Sequence, residues 1–562
     1  MSKFKQNIKS IHWSVKALVI GVSFSFLAFL PSDKDFFEIS KNLDVFTSLF
    51  KELNIYYVDE TKPGDLMKTG IDAMLESLDP YTNYYPESDI EDYRFMTTGE
   101  YGGIGSTIRR KDDFVIISEP YENFPAHKAG LKAGDVILKV DGKEAKGKNS
   151  SELSELLKGQ PGTEIELLIQ RPGASEDLVV KLKREEIKIK SVPYYAMLND
   201  SVGYVNLTSF TRSAGREVKS AILDLKEKHG MKKLVFDLRG NPGGLLRESI
   251  KIVNFFVKKG QPVVSTKGKI KDWNKVYKTL DKPIDLDMPV VVLINENSAS
   301  ASEIVSGSLQ DLDRAVVVGQ RSFGKGLVQT TRPLSYNSKL KLTTAKYYTP
   351  SGRCIQAIDY SHRDKNGRVH KVPDSLITEY KTANGRSVFD GAGVTPDTTV
   401  EAEYLSSVAV ALIRKNQIFD FVTHYVMDHK TIDSVETFEL KETDWNDFMS
   451  FMEGQEFDFE TSSDKAIEKL EKSFEADKYD ELFKEDIAAL HKKLDEKKKS
   501  DFEKYKGEIT QLIEREIVTR YYYQKGKMQY SLKDDKDLDM ALSIMAQPEF
   551  YKSLLQTVAE KK

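Results

Sequence analysis

The stretch MPVVVLINENSASASEIVSGSLQD, Met288–Asp311, decides how this 562-residue chain is read. An apolar run, Val290–Ile294, has the texture of a strand. Ser298, Ser300 and Ser302 follow in alternation, and a helix opens near Ser300. A serine at such a strand-to-helix turn is either a helix cap or a nucleophile. As a cap, Ser298 or Ser300 would satisfy the first free N–H groups, with Glu303 in the first turn where negative charge is favourable. As a nucleophile, a serine there gains backbone donors for a developing oxyanion, but it needs a base. Spacing alone does not choose among the three.

On either side of this stretch, from about Ser201 to Val400, strands and helices alternate: SVGYVNLTSF, TRSAGREVKSAILDLKEK, KKLVFDLRG, GLLRESIKIVNFFVKK and PVVVLIN. Such alternation predicts an α/β layer structure with much parallel pairing. Phe236–Leu246, FDLRGNPGGLL, ends one strand and opens a helix after Gly243 and Gly244, so free backbone donors gather at the sheet edge and suit an oxyanion or a phosphate. No GKS or GKT follows, which argues against a nucleotide site.

Histidine is the usual base for serine, yet none of the eight histidines lies between Gly230 and Ser361. His229, His362 and His370 leave a Ser-His-Asp arrangement open. The alternative is a lysine, whose ordinary pKa of about 10.4 must fall through burial. A drop of about three units costs on the order of 4 kcal/mol, which a closed apolar site can impose. Gly319–Thr331, GQRSFGKGLVQTT, supplies Lys325 beside Phe323, Leu327 and Val328. If this segment is extended, Lys325, Leu327 and Gln329 share one face, and the Gln329 carbonyl is placed to hold the amine.

Before the α/β region the texture differs. From Gly99 to about Ile187, short strands broken by glycines surround one helix, SSELSELLK, and predict a compact β-rich module. Tyr101–Ile108, YGGIGSTI, places Gly102, Gly103 and Gly105 before a strand, either as a tight turn or as a nest for a carboxylate. Read with FPAHKAGLKAGDVILKVDGK (Phe124–Lys143) and GQPGTEIELLIQR (Gly159–Arg171), the module resembles a PDZ domain. That resemblance implies capture of a peptide's C-terminal carboxylate at Gly103, Ile104 and Gly105, beside an apolar pocket.

Residues 32–98 read as a helical domain closed by LDPYTNYYP, and residues 401–562 as a polar helical extension of solvated faces, packing arms or dimer contacts. The stretch Asp359–Arg386 reads as a loop insertion. At the N-terminus, four lysines (Lys3, Lys5, Lys9 and Lys16) precede the apolar Ala17–Leu30, so residues 1–31 read as an export signal, cleaved or retained as an anchor. The remaining chain is then expected on the far side of a membrane, in the periplasm or at the outer face. A net charge of −4 argues against a nucleic-acid binder, and the lone Cys354 excludes an intrachain disulfide and a thiolate metal cluster.

Taken together, FDLRGNPGG, NENSASASEI, GQRSFGKGLVQ, LDPYTNYY, YYTPSGRCIQ (Tyr347–Gln356) and GVTPD (Gly393–Asp397) resemble the carboxy-terminal processing peptidases, or tail-specific proteases. The resemblance runs from about Asp35 to Val400. It implies a crotonase/Clp protease-like α/β catalytic domain over 188–400 with an inserted PDZ domain over 99–187. It assigns Ser300 as nucleophile, Lys325 as general base, Gln329 as orienting residue, and Ala301 with Gly243 or Gly244 as oxyanion donors. It implies no metal or cofactor, and protein or peptide substrates with free C-termini. An adaptor protein, a membrane anchor and a homo-oligomer stay open. The competing reading is a catalytically silent PDZ scaffold that tethers envelope proteins.

Overall fold

The computed structural model describes residues 33–556 apart from residue 456, so the N-terminal run read as an export signal lies outside the described residues. The chain divides after Pro80 into two compact units. The first contains helices Asp33–Tyr56 and Pro63–Glu76, the second of them opened by a proline whose missing N–H costs nothing at that position.

In the second unit a six-stranded sheet runs in the order Tyr194–Met197, Val202–Asn206, Lys233–Asp237, Val290–Ile294, Val316–Gly319, Thr398–Thr399. The first pairing is antiparallel and the rest are parallel. Val290–Ile294 is paired on both sides and covered on both faces, which accounts for its unbroken apolar sequence. Val290, Val292 and Ile294 face the layer of helices Ala214–His229, Leu246–Asn254 and Ala301–Asp311, while Val291 and Leu293 face the opposite way. Each fully buried side chain of this size contributes roughly 1.5–3 kcal/mol.

The opposite layer comes from the end of the chain. Helices Lys536–Ala546 and Pro548–Leu554 bury Leu538, Ala541, Ile544, Met545 and Tyr551 against Tyr204, Val235, Val291 and Leu293. Other parts of the tail have a core of their own, in which Phe421, Trp445, Phe448, Ile513 and Ile517 join helices Gln417–Asp428, Glu442–Glu453 and Lys506–Tyr530. The expectation of solvated helices fits the charged hairpin Ser462–Asp477 and Asp480–Lys499, whose residues are mostly exposed. Helices Lys536–Ala546 and Pro548–Leu554 fit the alternative of packing arms, and composition hid only the extent of the buried surface, because amphipathic helices keep a polar average while burying one face.

Residues 81–98 also differ from their reading as the close of a helical domain. Asn83–Tyr85 is a strand that pairs antiparallel with Lys339–Tyr348, in the sheet that also holds Pro262–Gly268 and Leu327–Pro333. Only Ile90–Thr98 is α-helical there, ending at Gly99 in the left-handed region. The insertion Asp359–Arg386 is not a plain loop either; it lies within two hairpins, Ile358–Arg363 with Val369–Lys371 and Glu379–Lys381 with Ser387–Phe389.

The β-rich module is a sheet ordered Ser106–Lys111, Phe114–Pro120, Val136–Val140, Glu164–Gln170, Leu178–Lys183 over a core of Val115, Ile117, Ile137, Leu153, Leu167 and Ile169. Its helix Ser150–Leu157 starts in a capping box: Glu152 N–H donates to Asn149 Oδ1 at 3.0 Å, and Asn149 N–H donates to Glu152 Oε2 at 2.7 Å. The module rests on the helical tail. Arg109 and Arg520 stack on the Phe419 ring at 3.6 and 4.1 Å, and Lys111 pairs with Asp420 at 2.7 Å.

Candidate active site

The three alternating serines separate once their hydroxyls are traced. Ser298 is fully buried and donates to Leu238 O at 2.8 Å; Ser302 is fully buried and donates to Asn241 O at 2.9 Å. Both are structural ties. Ser300 is half-buried, precedes helix Ala301–Asp311, and holds φ 55° and ψ −109°, a conformation an L-residue adopts only under constraint. The constraint is visible: its N–H donates to Glu303 Oε2 at 2.7 Å and its carbonyl accepts from the Tyr347 hydroxyl at 3.0 Å. A sharp strand-to-helix turn of this kind presents a serine hydroxyl above the sheet edge.

Ser300 lines a cleft of about 590 Å³ that also contains Ala301, Gly243, Gly244, Lys325 and Gln329. The residues named by the family resemblance for catalysis and for the oxyanion thus share one cavity. No histidine lines it among the described residues. His362 and His370 sit on an exposed hairpin, each beside its own aspartate.

The loop Gly240–Gly244 is built around Asn241, which is fully buried. Its carbonyl accepts from Ala299 N–H at 3.0 Å and from Ser302 Oγ, its amide donates to Leu207 O at 2.7 Å, and its side-chain oxygen accepts from Gly243 N–H at 2.9 Å. Gly243 N–H is therefore engaged. Among the described residues, the N–H groups of Gly244 and Ala301 have no acceptor, and both residues line the cleft. Of the glycine pair, Gly244 is the one with a donor to offer. Gly243 instead provides room. At its φ of 101°, a Cβ would stand 2.7 Å from Ala299 O and 2.9 Å from Ser300 Cβ, so only glycine lets the loop approach the serine turn.

Lys325 is half-buried in the segment before strand Leu327–Pro333. Its Nζ lies 3.8 Å from the centroid of the Tyr81 ring. Lys325, Leu327 and Gln329 all line the cleft, as expected for an extended segment, but Val328 lines it too. The ladder shifts register between Val328 and Gln329, and a bulge of that kind interrupts strict alternation. The Gln329 amide donates to Thr343 Oγ1 at 3.2 Å.

Glu303 joins the serine turn to the lysine segment, a role that its reading as a first-turn charge did not include. The carboxylate is fully buried and accepts four hydrogen bonds: Ser322 Oγ and Gly324 N–H reach Oε1 at 2.6 and 2.7 Å, while Ser300 N–H and Lys325 N–H reach Oε2 at 2.7 and 2.9 Å. Burial pushes its pKa up, and the four donors pull it back. The remaining motifs serve this frame. Val394 N–H donates to Ser322 Oγ at 2.7 Å, which aims that hydroxyl at Glu303, and Gln356 Oε1 accepts from Gly326 N–H at 2.7 Å. Arg353 pairs with Asp311, both buried. Burial also raises the Cys354 thiol pKa.

In the β-rich module Gly103 and Ile104 line a pocket of about 180 Å³ with Tyr101, Ile108, Tyr121 and Leu157. Gly105 does not line it; at φ 72° it packs on Phe124, where a Cβ would stand 2.5 Å away. Phe95, on helix Ile90–Thr98, lines both this pocket and the Ser300 cleft.

An α/β domain with a strained serine at a sheet edge, joined to a peptide-pocket module, defines a class: serine peptidases that carry a PDZ domain. The description "Peptidase family S41" matches residues 201–361, "PDZ domain" matches 116–171, and "Probable PDZ-protease, C-terminal helical domain" matches 408–545. A carboxy-terminal-processing protease of Bartonella bacilliformis is 42% identical over 323 residues, covering 57% of this chain and 73% of that protein. A "Probable CtpA-like serine protease" of Staphylococcus aureus is 39% identical over 316 residues, covering 56% of this chain and 62% of that protein. Among solved structures, a photosystem II D1 C-terminal processing protease is 27% identical, with 64% of this chain and 93% of that one covered at a TM-score of 0.34. The chain belongs to the carboxy-terminal processing protease family.

Proposed function

We propose that this protein is an exported endopeptidase that holds protein substrates by their C-terminal tails and cleaves them through a Ser300–Lys325 pair. The observation that carries the reading is the single cleft lined by Ser300, Lys325, Ala301 and Gly244, with no histidine among its described lining residues. Ser300 Oγ attacks the scissile carbonyl while neutral Lys325 takes its proton. The oxyanion is met by the N–H groups of Ala301 and Gly244, donors already fixed before the charge develops. The C–N bond breaks as Lys325 returns the proton to the leaving amine. Water then attacks the acyl ester, gives its proton to Lys325, and Ser300 recovers it as the C–O bond breaks.

In this reading the β-rich module receives the substrate's terminal carboxylate near Gly103 and Ile104, its apolar pocket receives the last side chain, and its position tunes activity. Export rests on the basic and apolar N-terminal sequence, and envelope proteins are the corresponding substrates. No helix among the described residues is long and apolar enough to cross a membrane.

Two comparisons test the proposal. A protein substrate with a free C-terminus is cleaved by the wild type and not by Ser300→Ala; equal cleavage by both removes Ser300 from the mechanism, and cleavage by neither favours the scaffold reading. The same substrate with an amidated tail shows a raised KM with little change in kcat, because docking is lost and chemistry is not. Equal KM values reject capture of the carboxylate.

A further inference from the structure

Arg239 stands one residue before the loop Gly240–Gly244 and belongs to no step above. Its guanidinium is gripped from two sides. On one side, Asp237 Oδ2 accepts from Nη2 at 2.7 Å and from Nε at 3.1 Å, while Asp237 itself is fixed by the Tyr204 hydroxyl at 2.6 Å. On the other, Asp535 takes Nη1 and Nη2 in a fork at 2.8 and 2.6 Å, and Asp537 takes Nη1 at 3.0 Å. The guanidinium's three nitrogens, which carry five donors, are all engaged. The four side chains are 18, 4, 9 and 12% exposed for Arg239, Asp237, Asp535 and Asp537, so this is a desolvated cluster rather than a surface pair.

The two outer carboxylates come from the helical tail. Asp535 caps helix Lys536–Ala546 by accepting from Leu538 N–H at 3.0 Å, and that helix is buried against the central sheet. The clamp therefore stands on a rigid element. From Arg239 the chain passes directly into the oxyanion loop: Gly240 N–H is held by Asn295 Oδ1 at 2.9 Å, Asn241 ties to the serine turn, and Gly244 presents its N–H in the cleft. An oxyanion donor acts only if its position is fixed before the charge appears, and a displacement of about 1 Å costs on the order of 100-fold in rate.

We propose that Arg239 is a positioning residue for the oxyanion loop, and that Asp535 and Asp537 thereby make the C-terminal helical segment part of the catalytic apparatus. The inference rests on the peptidase reading, so its test has one readout that depends on turnover and one that does not. The variant is the full chain carrying Asp535→Asn and Asp537→Asn; asparagine keeps the helix cap while removing both charges. Against a free-tailed peptide substrate, kcat falls at least about 10-fold with KM within about twofold, as expected when only transition-state stabilisation is lost. Arg239→Lys, which keeps the charge but not the fork, falls in between. In hydrogen–deuterium exchange, the amides of residues 238–245 lose protection in the double variant while those of the β-rich module do not change.

A lowered Tm with unchanged kcat means a plain structural brace and overturns the proposal, as does unchanged exchange across 238–245. If the wild type shows no Ser300-dependent turnover, the peptidase reading fails, and the exchange measurement still decides whether the clamp holds the loop.

Discussion

A carboxylate sealed from water has to be held by donors, and Glu303 has four, drawn from both sides of the proposed catalytic pair. Glu303→Gln keeps the shape but turns an amide NH₂ toward two of those donors. The expected outcome is a loss of about 1–3 kcal/mol in urea unfolding for the stranded groups, together with a fall in kcat on the order of 100-fold as Ser300 and Lys325 lose their common strut. Intact kcat in a folded Glu303→Gln protein would remove the strut from the account. The pH dependence follows from the same burial. The folded chain holds the Glu303 proton more tightly than the unfolded chain, whose value is the ordinary 4.5, so this group's contribution to stability falls as pH rises above that value. The wild type then shows a downward slope there that Glu303→Gln lacks. At this scale the sequence was only partly legible. It placed three serines at a turn, but their fates depend on Leu238 and Asn241, which lie about sixty residues away in the chain.

At the scale of elements, the loop Gly240–Gly244 and the serine turn fit only because Gly243 lacks a side chain. Gly243→Ala would place a Cβ 2.7 Å from Ala299 O and 2.9 Å from Ala301 N, on a backbone at φ 101°. It is expected to lower kcat on the order of 100-fold by pushing the two donors apart. Gly230→Ala, outside the loop and the cleft, is the control: at φ 71° with nothing within 4 Å of its Cβ, it costs about 1–2 kcal/mol of backbone strain and leaves kcat near the wild-type value. Equal activity in both variants would show that the loop tolerates displacement. The strands themselves were open to sequence reading, because apolar runs alternating with helical patterns mark a largely parallel sheet. The bulge at Val328 and Gln329 was not, since a register shift depends on the partner strand Lys339–Tyr348 and leaves no mark in composition.

Across the whole molecule, the helical tail does most to change the picture. It closes the second face of the central sheet, carries the β-rich module on Phe419, and grips the loop beside the cleft through Arg239. None of these contacts was legible, because pairings between residues some three hundred positions apart leave no local pattern in either partner. The family motifs, by contrast, were legible because each is a short run of fixed residue types, and the stretches around Gly243, Ser300 and Lys325 meet in one cleft. The central claim is that Lys325 activates Ser300. It is tested most directly by kcat/KM for a free-tailed substrate, compared between wild type and Lys325→Ala in preparations of equal Tm. The account predicts a fall of at least about 100-fold, the lower range for loss of a general base; a variant that keeps kcat/KM within a few-fold of the wild type contradicts it.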